Sequence, residues 1–181
     1  MQAARGTTLT AARWRPALLL AIGVGVLGYS LDQLTKWLAV KNLVPRQPVE
    51  VLGPVLRLTL IRNPGAAFSM GSNSTVALSI FAIVALLACL VVGMPRVRTM
   101  SQGLALGLLT AGIAGNLHDR LTREPSPLRG HVIDFFQLPY FAIFNVADIC
   151  ITSAAVLVIW LGFRDTRAAK PAAPAAQDPD A

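Results

Sequence analysis

Four of the nine acidic residues fall between Gly115 and Ile149: Asp119, Glu124, Asp134 and Asp148. Asp134 is flanked by Val132, Ile133, Phe135 and Phe136, an unlikely setting for an exposed loop charge. Apolar surroundings raise the pKa of a carboxyl group, and a second carboxylate nearby drives the two values further apart. Two carboxyls that share one proton can serve as base and acid on a single water molecule, as in aspartic proteases. Asp148 is the natural partner, although it has another explanation. Asn145 can cap the helix that follows, and Asp148 at its third position can answer as in a capping box. A cap alone does not require a carboxylate in an apolar helix. The spacing offers no proof that Asp134 reaches Asp148; the residues between them include Pro139 and permit a turn back.

Other polar residues have blander readings. Asp32 and Lys36 stand at i,i+4 and can neutralise each other, and Asp119 can do the same with Arg123. A paired carboxylate in a low dielectric is usually held rather than reactive, so these residues read as structural partners. His118, Asp119, His131 and Asp134 could be imagined around a metal, but no HExxH-type frame accompanies them, and no metal is expected. Ser69 and Ser153 have no histidine partner in a plausible order, and a glycine-rich phosphate loop is absent. Glu124 reads as an exposed loop charge.

The elements that must position these groups are membrane helices. Hydrophobic residues make up 54% of the 181-residue chain and charged residues 14%, with mean hydropathy +0.58. That composition points to an integral membrane protein. The net charge of +7 sits mostly at the ends of apolar segments and forms no basic stripe interleaved with aromatics, which argues against nucleic acid. Cys89 and Cys150 lie within apolar runs and read as small buried hydrophobes.

Four spans are expected, at about 17–40, 76–94, 100–117 and 146–163, each near the ~20 residues needed to cross a bilayer. The basic start and first apolar run resemble a signal peptide, but the helix continues through Asp32 and Lys36 without a convincing cleavage site, which favours an uncleaved span. Four spans put both termini on one side and every polar motif on the other. Lys and Arg are equally divided, eight on each side. The cluster before span one and the arginines at 95–99 favour cytoplasmic termini. Span three carries Gly103, Gly107, Ala111 and Gly115 at four-residue spacing, a packing stripe. Between spans one and two, in region 44–73, Leu56, Leu58 and Leu60 alternate with Arg57, Thr59 and Ile61, and Asn63-Pro64-Gly65 follows as a turn. The fold class is therefore an all-α integral membrane protein of four transmembrane helices, with a small extramembrane β-sheet between helices 1 and 2. Residues 1–15 read as a cytoplasmic tail, 16–163 as the membrane domain, and the Ala/Pro-rich 164–181 as a disordered tail.

Five motifs in this order resemble lipoprotein signal peptidase (signal peptidase II), a bacterial membrane aspartyl protease family. They are DQLTK at 32–36, RNPGAAFS at 62–69, GNLHDR at 115–120, VIDFF at 132–136 and FNVADI at 144–149. The resemblance implies that Asp134 and Asp148 are the catalytic pair. It implies supporting roles for Asn63, Asn116, Arg120 and Asn145, and structural polar roles for Asp32, Lys36 and Asp119. It further implies cleavage of diacylglyceryl-modified prolipoproteins before the lipidated cysteine, sensitivity to globomycin, and location in the bacterial inner membrane with the site near the extracytoplasmic face. No cofactor is implied. The expected partners are the prolipoprotein substrates and membrane lipid, and a monomer can contain the whole pair. The alternatives are a metal-dependent membrane peptidase, or a non-enzymatic small transporter or membrane chaperone. Transport would call for polar residues through the full depth of the bundle, and spans two and three are apolar toward the termini side.

Overall fold

The computed structural model describes residues 15–65 and 75–168. The 1–14 and 169–181 tails, and residues 66–74, which include the end of the RNPGAAFS motif, lie outside the described residues.

Among the described residues, three helices are long and apolar enough to cross a membrane: Pro16–Asn42, Thr75–Arg96 and Val146–Arg164. They belong to α1 (Arg15–Asn42), α2 (Thr75–Ala88) with the turns that end it, and α4 (Val146–Ala168). The remaining helix, α3 (Met100–Thr122), has 23 residues, about 34 Å of length, enough to span hydrocarbon. It is less apolar because its surface meets protein rather than lipid: ten of its residues are buried, among them Gly103, Gly107, Gly112 and Gly115. It packs against all three other helices, whereas among the described residues α2 barely touches α1 or α4.

The small-residue stripe explains how closely α1 and α3 cross. A Cβ on Gly103 would lie 2.3 Å from the Ala17 carbonyl oxygen, and one on Gly107 would lie 2.7 Å from that of Ala21. Gly112 does the same for α4, with the Ala147 carbonyl 2.4 Å from its would-be Cβ. Only glycine lets backbones approach this far, and close backbone approach drives helix association where lipid removes the hydrophobic incentive.

The start of α3 is fixed by a capping box. Thr99 accepts from the Gln102 backbone at 3.2 Å, and Gln102 accepts from the Thr99 backbone at 3.2 Å. α2 ends in a π turn, Cys89–Gly93, and a 3-10 turn, Met94–Arg96. The tight connector between α2 and α3 follows directly.

The sheet has three antiparallel strands in the order β1 (Val49–Leu52), β2 (Leu56–Asn63), β3 (Val132–Gln137). The first two come from the segment between α1 and α2. The third comes from between α3 and α4, an addition to the expected sheet. Ile133 and Phe135 are buried with Leu60 and Ala39 in one cluster, and Leu43, Leu58, Phe136 and Val146 pack around it. The sheet is thereby fastened to the end of α1 and the beginning of α4. Burial at Val132, Ile133, Asp134 and Phe135 alike removes the alternation that usually betrays a strand.

Candidate active site

The site forms where β2, β3 and the facing ends of α1, α3 and α4 converge. Ile61 pairs with Asp134 across the β2–β3 ladder, and Asn63, two residues on, therefore shares its face. The Asn63 amide donates to Asp134 Oδ2 at 2.9 Å. From the other side Asn145 donates to Asp134 Oδ1 at 2.7 Å. Asp134 is 2% exposed, and burial pushes its carboxyl up to about 7. The hydrogen bond from Asn63 opposes that rise, the Asp148 charge adds to it, and the bond from Asn145 opposes it.

Asn145 and Asp148 start α4 with reciprocal bonds. The Asp148 backbone donates to Asn145 Oδ1 at 3.0 Å, and the Asn145 backbone donates to Asp148 Oδ2 at 3.1 Å. The capping explanation of this pair is thus present in full. So is the juxtaposition it left open, because the Asn145 nitrogen reaches Asp134 while its oxygen caps the helix that carries Asp148. The second Asp148 oxygen, Oδ1, accepts from Asn116 at 2.9 Å.

Behind the two carboxyls lies a buried charge cluster. Lys36 Nζ is 2.8 Å from Asp32 and 2.9 Å from Asp119, with all three side chains fully buried. It also donates to Asn116 Oδ1 at 2.9 Å. Asp119 pairs with Arg123 as well, so two negative charges meet two positive ones. Asp32 accepts from the Ala147 backbone at 2.8 Å, which ties α1 to the first turn of α4. Asp119 accepts from the Ile133 backbone at 3.2 Å, which ties α3 to β3. The two local pairs read from sequence are one network joined through Lys36.

Arg120 is 7% exposed. Its Nη2 donates to the Gly65 carbonyl at 2.8 Å, while Nη1 has no hydrogen-bond partner among the described residues. Asp134, Asp148, Asn63, Asn116 and Arg120 line one cavity of about 380 Å³, closed on another side by Phe141–Phe144 and by Ile151 and Thr152 of α4. Phe144 exchanges backbone hydrogen bonds with Phe136 at 2.8 and 3.0 Å, which hangs the 141–144 wall from β3. Both carboxyls face this one cavity.

Relatives speak to the identity of this arrangement. A family model described as signal peptidase (SPase) II matches residues 24–164. The chain belongs to the signal peptidase II family. It is 45% identical over 149 residues to the lipoprotein signal peptidase of Leifsonia xyli, covering 82% of this chain and 68% of that relative. It is 43% identical over 147 residues to that of Mycolicibacterium smegmatis, covering 81% of this chain and 61% of the relative. A solved bacterial membrane enzyme superposes with TM-score 0.73 at 28% identity, covering 89% of this chain and 95% of that one. Membership of this protease family and the apolar helices make the chain a multi-pass membrane protein.

Within this member of the signal peptidase II family, some contributors had been given no role from the sequence, although Gln33 and Gly65 lie inside the quoted motifs. Gln33 donates to Asp32 and to the Gly115 carbonyl, at 3.0 and 3.1 Å. Gly65 receives Arg120; the Asn63-Pro64-Gly65 turn was the only signal for it. The wall at 141–144 carried no polar signal at all. His118 Nδ1 is hydrogen-bonded to Tyr29 at 2.9 Å, and among the described residues no three His, Cys, Asp or Glu side chains are grouped as a metal site would need. Glu124 is exposed, 3.6 Å from Arg62.

Proposed function

We propose that this protein is an intramembrane aspartyl endopeptidase that removes signal peptides from diacylglyceryl-modified prolipoproteins, cutting before the lipidated cysteine. The observation that carries the reading is that Asp134 and Asp148 line one cavity and are bridged by Asn145. The curated relatives, named lipoprotein signal peptidases, support the substrate class.

In the proposed reaction Asp134 holds the shared proton and Asp148, at the N-terminus of α4 where the helix dipole favours negative charge, is the base. Asp148 takes a proton from water as the oxygen attacks the scissile carbonyl carbon. The Asp134 proton moves onto, or is donated to, the developing oxyanion, and Nη1 of Arg120 offers a further donor to it or to a neighbouring peptide carbonyl. Collapse of the tetrahedral intermediate breaks the C–N bond, the proton held by Asp148 passes to the leaving amine, and the oxyanion's proton returns to the pair. Asn63, Asn116 and Asn145 fix the two carboxyls, and Asp32, Lys36 and Asp119 hold the helices that carry them. The apolar walls leave the acyl chains in lipid while the peptide enters.

Residues 16–163 form the peptidase unit of this proposal. It works as a monomer in the bacterial inner membrane, with cytoplasmic termini and the carboxyls near the extracytoplasmic face, and it is globomycin-sensitive. The deciding experiment incubates Asp134→Asn and Asp148→Asn proteins with a lipid-modified precursor in bilayers. Each variant is expected to lose about 10²–10⁴-fold or more in rate while retaining its fold. Cleavage at the parental rate by both would overturn the pair, and loss of parental activity in a chelator, restored by zinc, would favour the metal-dependent reading instead.

A further inference from the structure

At the end of the bundle remote from the carboxyls, a second cavity of about 400 Å³ opens between the beginning of α3, the end of α4 and the turn that closes α2. Its depth is apolar, formed by Leu106 and Leu109 of α3 and by Val158 and Leu161 of α4. Its rim is cationic, with Arg96 on one side and Arg164 on the other. Among the described residues α2 barely touches α4, so the groove is left open between them.

The rim charges are placed deliberately by the backbone. The π turn at Cys89–Gly93 and the 3-10 turn at Met94–Arg96 end α2 and turn the chain beside the first turn of α3. Arg96 is exposed and donates one bond, to the Val92 carbonyl at 2.8 Å. Among the described residues neither Arg96 nor the adjacent Arg98 has a carboxylate partner. Trp160 lies against Arg164, 5.6 Å from its guanidinium carbon to the ring centroid, and its exposed indole is of the kind that sits at headgroup level. Thr99 and Gln102 supply further polar atoms at the rim. An apolar slot with two arginines at its interfacial mouth matches a lipid that carries a negative headgroup over an acyl chain.

We propose that this groove is a binding site for an anionic phospholipid, distinct from the peptidase cavity. The phosphate sits between Arg96 and Arg164, and one acyl chain lies along Leu106, Leu109, Val158 and Leu161. A zwitterionic lipid gains the same apolar contact but lacks the net charge. Basic pockets between membrane helices recognise headgroups in this way. Each arginine near an anionic lipid surface is expected to contribute about fivefold in affinity.

The test uses the full chain in nanodiscs of equal parts phosphatidylglycerol and phosphatidylcholine, followed by native mass spectrometry of retained lipid. Phosphatidylglycerol is expected to be retained preferentially, and Arg96→Gln with Arg164→Gln together are expected to lower that preference by about 25-fold. Arg96→Gln alone, at an exposed side chain, provides the same reading if the double variant fails to fold. Equal retention of both lipids by the parental protein would overturn the proposal, as would a preference that survives in the variants. Displacement of phosphatidylglycerol by millimolar inorganic phosphate would show a site for the anion alone and would also overturn it. Cleavage of a precursor by the variants in phosphatidylcholine verifies that the fold is intact, since neither arginine belongs to the peptidase site.

Discussion

Lys36 donates to the side-chain oxygen of Asn116 at 2.9 Å, and the nitrogen of the same amide donates to Asp148 at 2.9 Å. A fully buried ammonium on α1 thereby sets which way an α3 amide faces, and that amide holds a carboxylate on α4. A cation that also neutralises Asp32 and Asp119 is therefore one hydrogen-bonded residue removed from the proposed chemistry.

Removing it has a large expected cost. Lys36→Met strands the buried Asp32 and Asp119 carboxylates with Arg123 as the remaining charged partner. Breaking a buried pair by deleting one member costs about 3–5 kcal/mol. The thermal midpoint of Lys36→Met in detergent should fall well below that of the parent, and Lys36→Met with Asp32→Asn should recover part of the loss. An unchanged midpoint would show that the network contributes little.

The pH dependence follows from Asp134. Its carboxyl titrates near 7 rather than in the ordinary carboxylate range, chiefly because it is buried. The proposed acid is neutral below that value and ionised above it, so the rate of precursor cleavage should decline as pH rises through about 7. Asn63→Ala removes a hydrogen bond that favours the ionised form, so its alkaline limb should move to higher pH. A limb that stays in place, measured as kcat/KM against pH, would remove Asp134 from the role of acid.

The same shift predicts a stability difference with a definite sign. Asp134 has a folded-state pKa raised above its unfolded value, so ionisation destabilises the fold, and the penalty grows from the unfolded pKa up to about 7. Asp134→Asn cannot ionise. Its thermal midpoint relative to the parent should therefore be higher at pH 8 than at pH 5. A pH-independent difference would contradict the burial-driven shift.

Glycines on α1 and α3 allow a controlled contrast. A methyl on Gly103 meets the Ala17 backbone at 2.3 Å, whereas one on Gly23 meets nothing within 4 Å. Gly103→Ala should destabilise by about 1–3 kcal/mol through overpacking. Gly23→Ala should be neutral or stabilising by up to about 1 kcal/mol, since alanine is the better helix former. Denaturation of the two variants in the same detergent gives the comparison.

Much of this architecture was legible in the sequence because membranes impose length and polarity so strictly. The helix after Asn145 begins where a capping residue stands, and the glycine stripe of α3 announced its contact with another helix. The third strand was hidden because Val132–Phe135 is buried on both faces, so no alternation marked it. Lys36 looked like half of an i,i+4 pair because spacing along one helix reveals only local partners; its contacts with Asp119 and Asn116 exist only once α1 and α3 have crossed. The relation of Asp134 to Asp148 needed the β2–β3 register and the docking of α4, neither of which is encoded in a local pattern.

Asn145 spends one side chain on two tasks, beginning α4 with its oxygen and gripping Asp134 with its nitrogen. The grip requires α4 to be docked beside β3, so the placing of the two carboxyls depends on tertiary packing. Under the proposed reaction, the machinery is therefore assembled by the docking of two elements and is carried by neither alone.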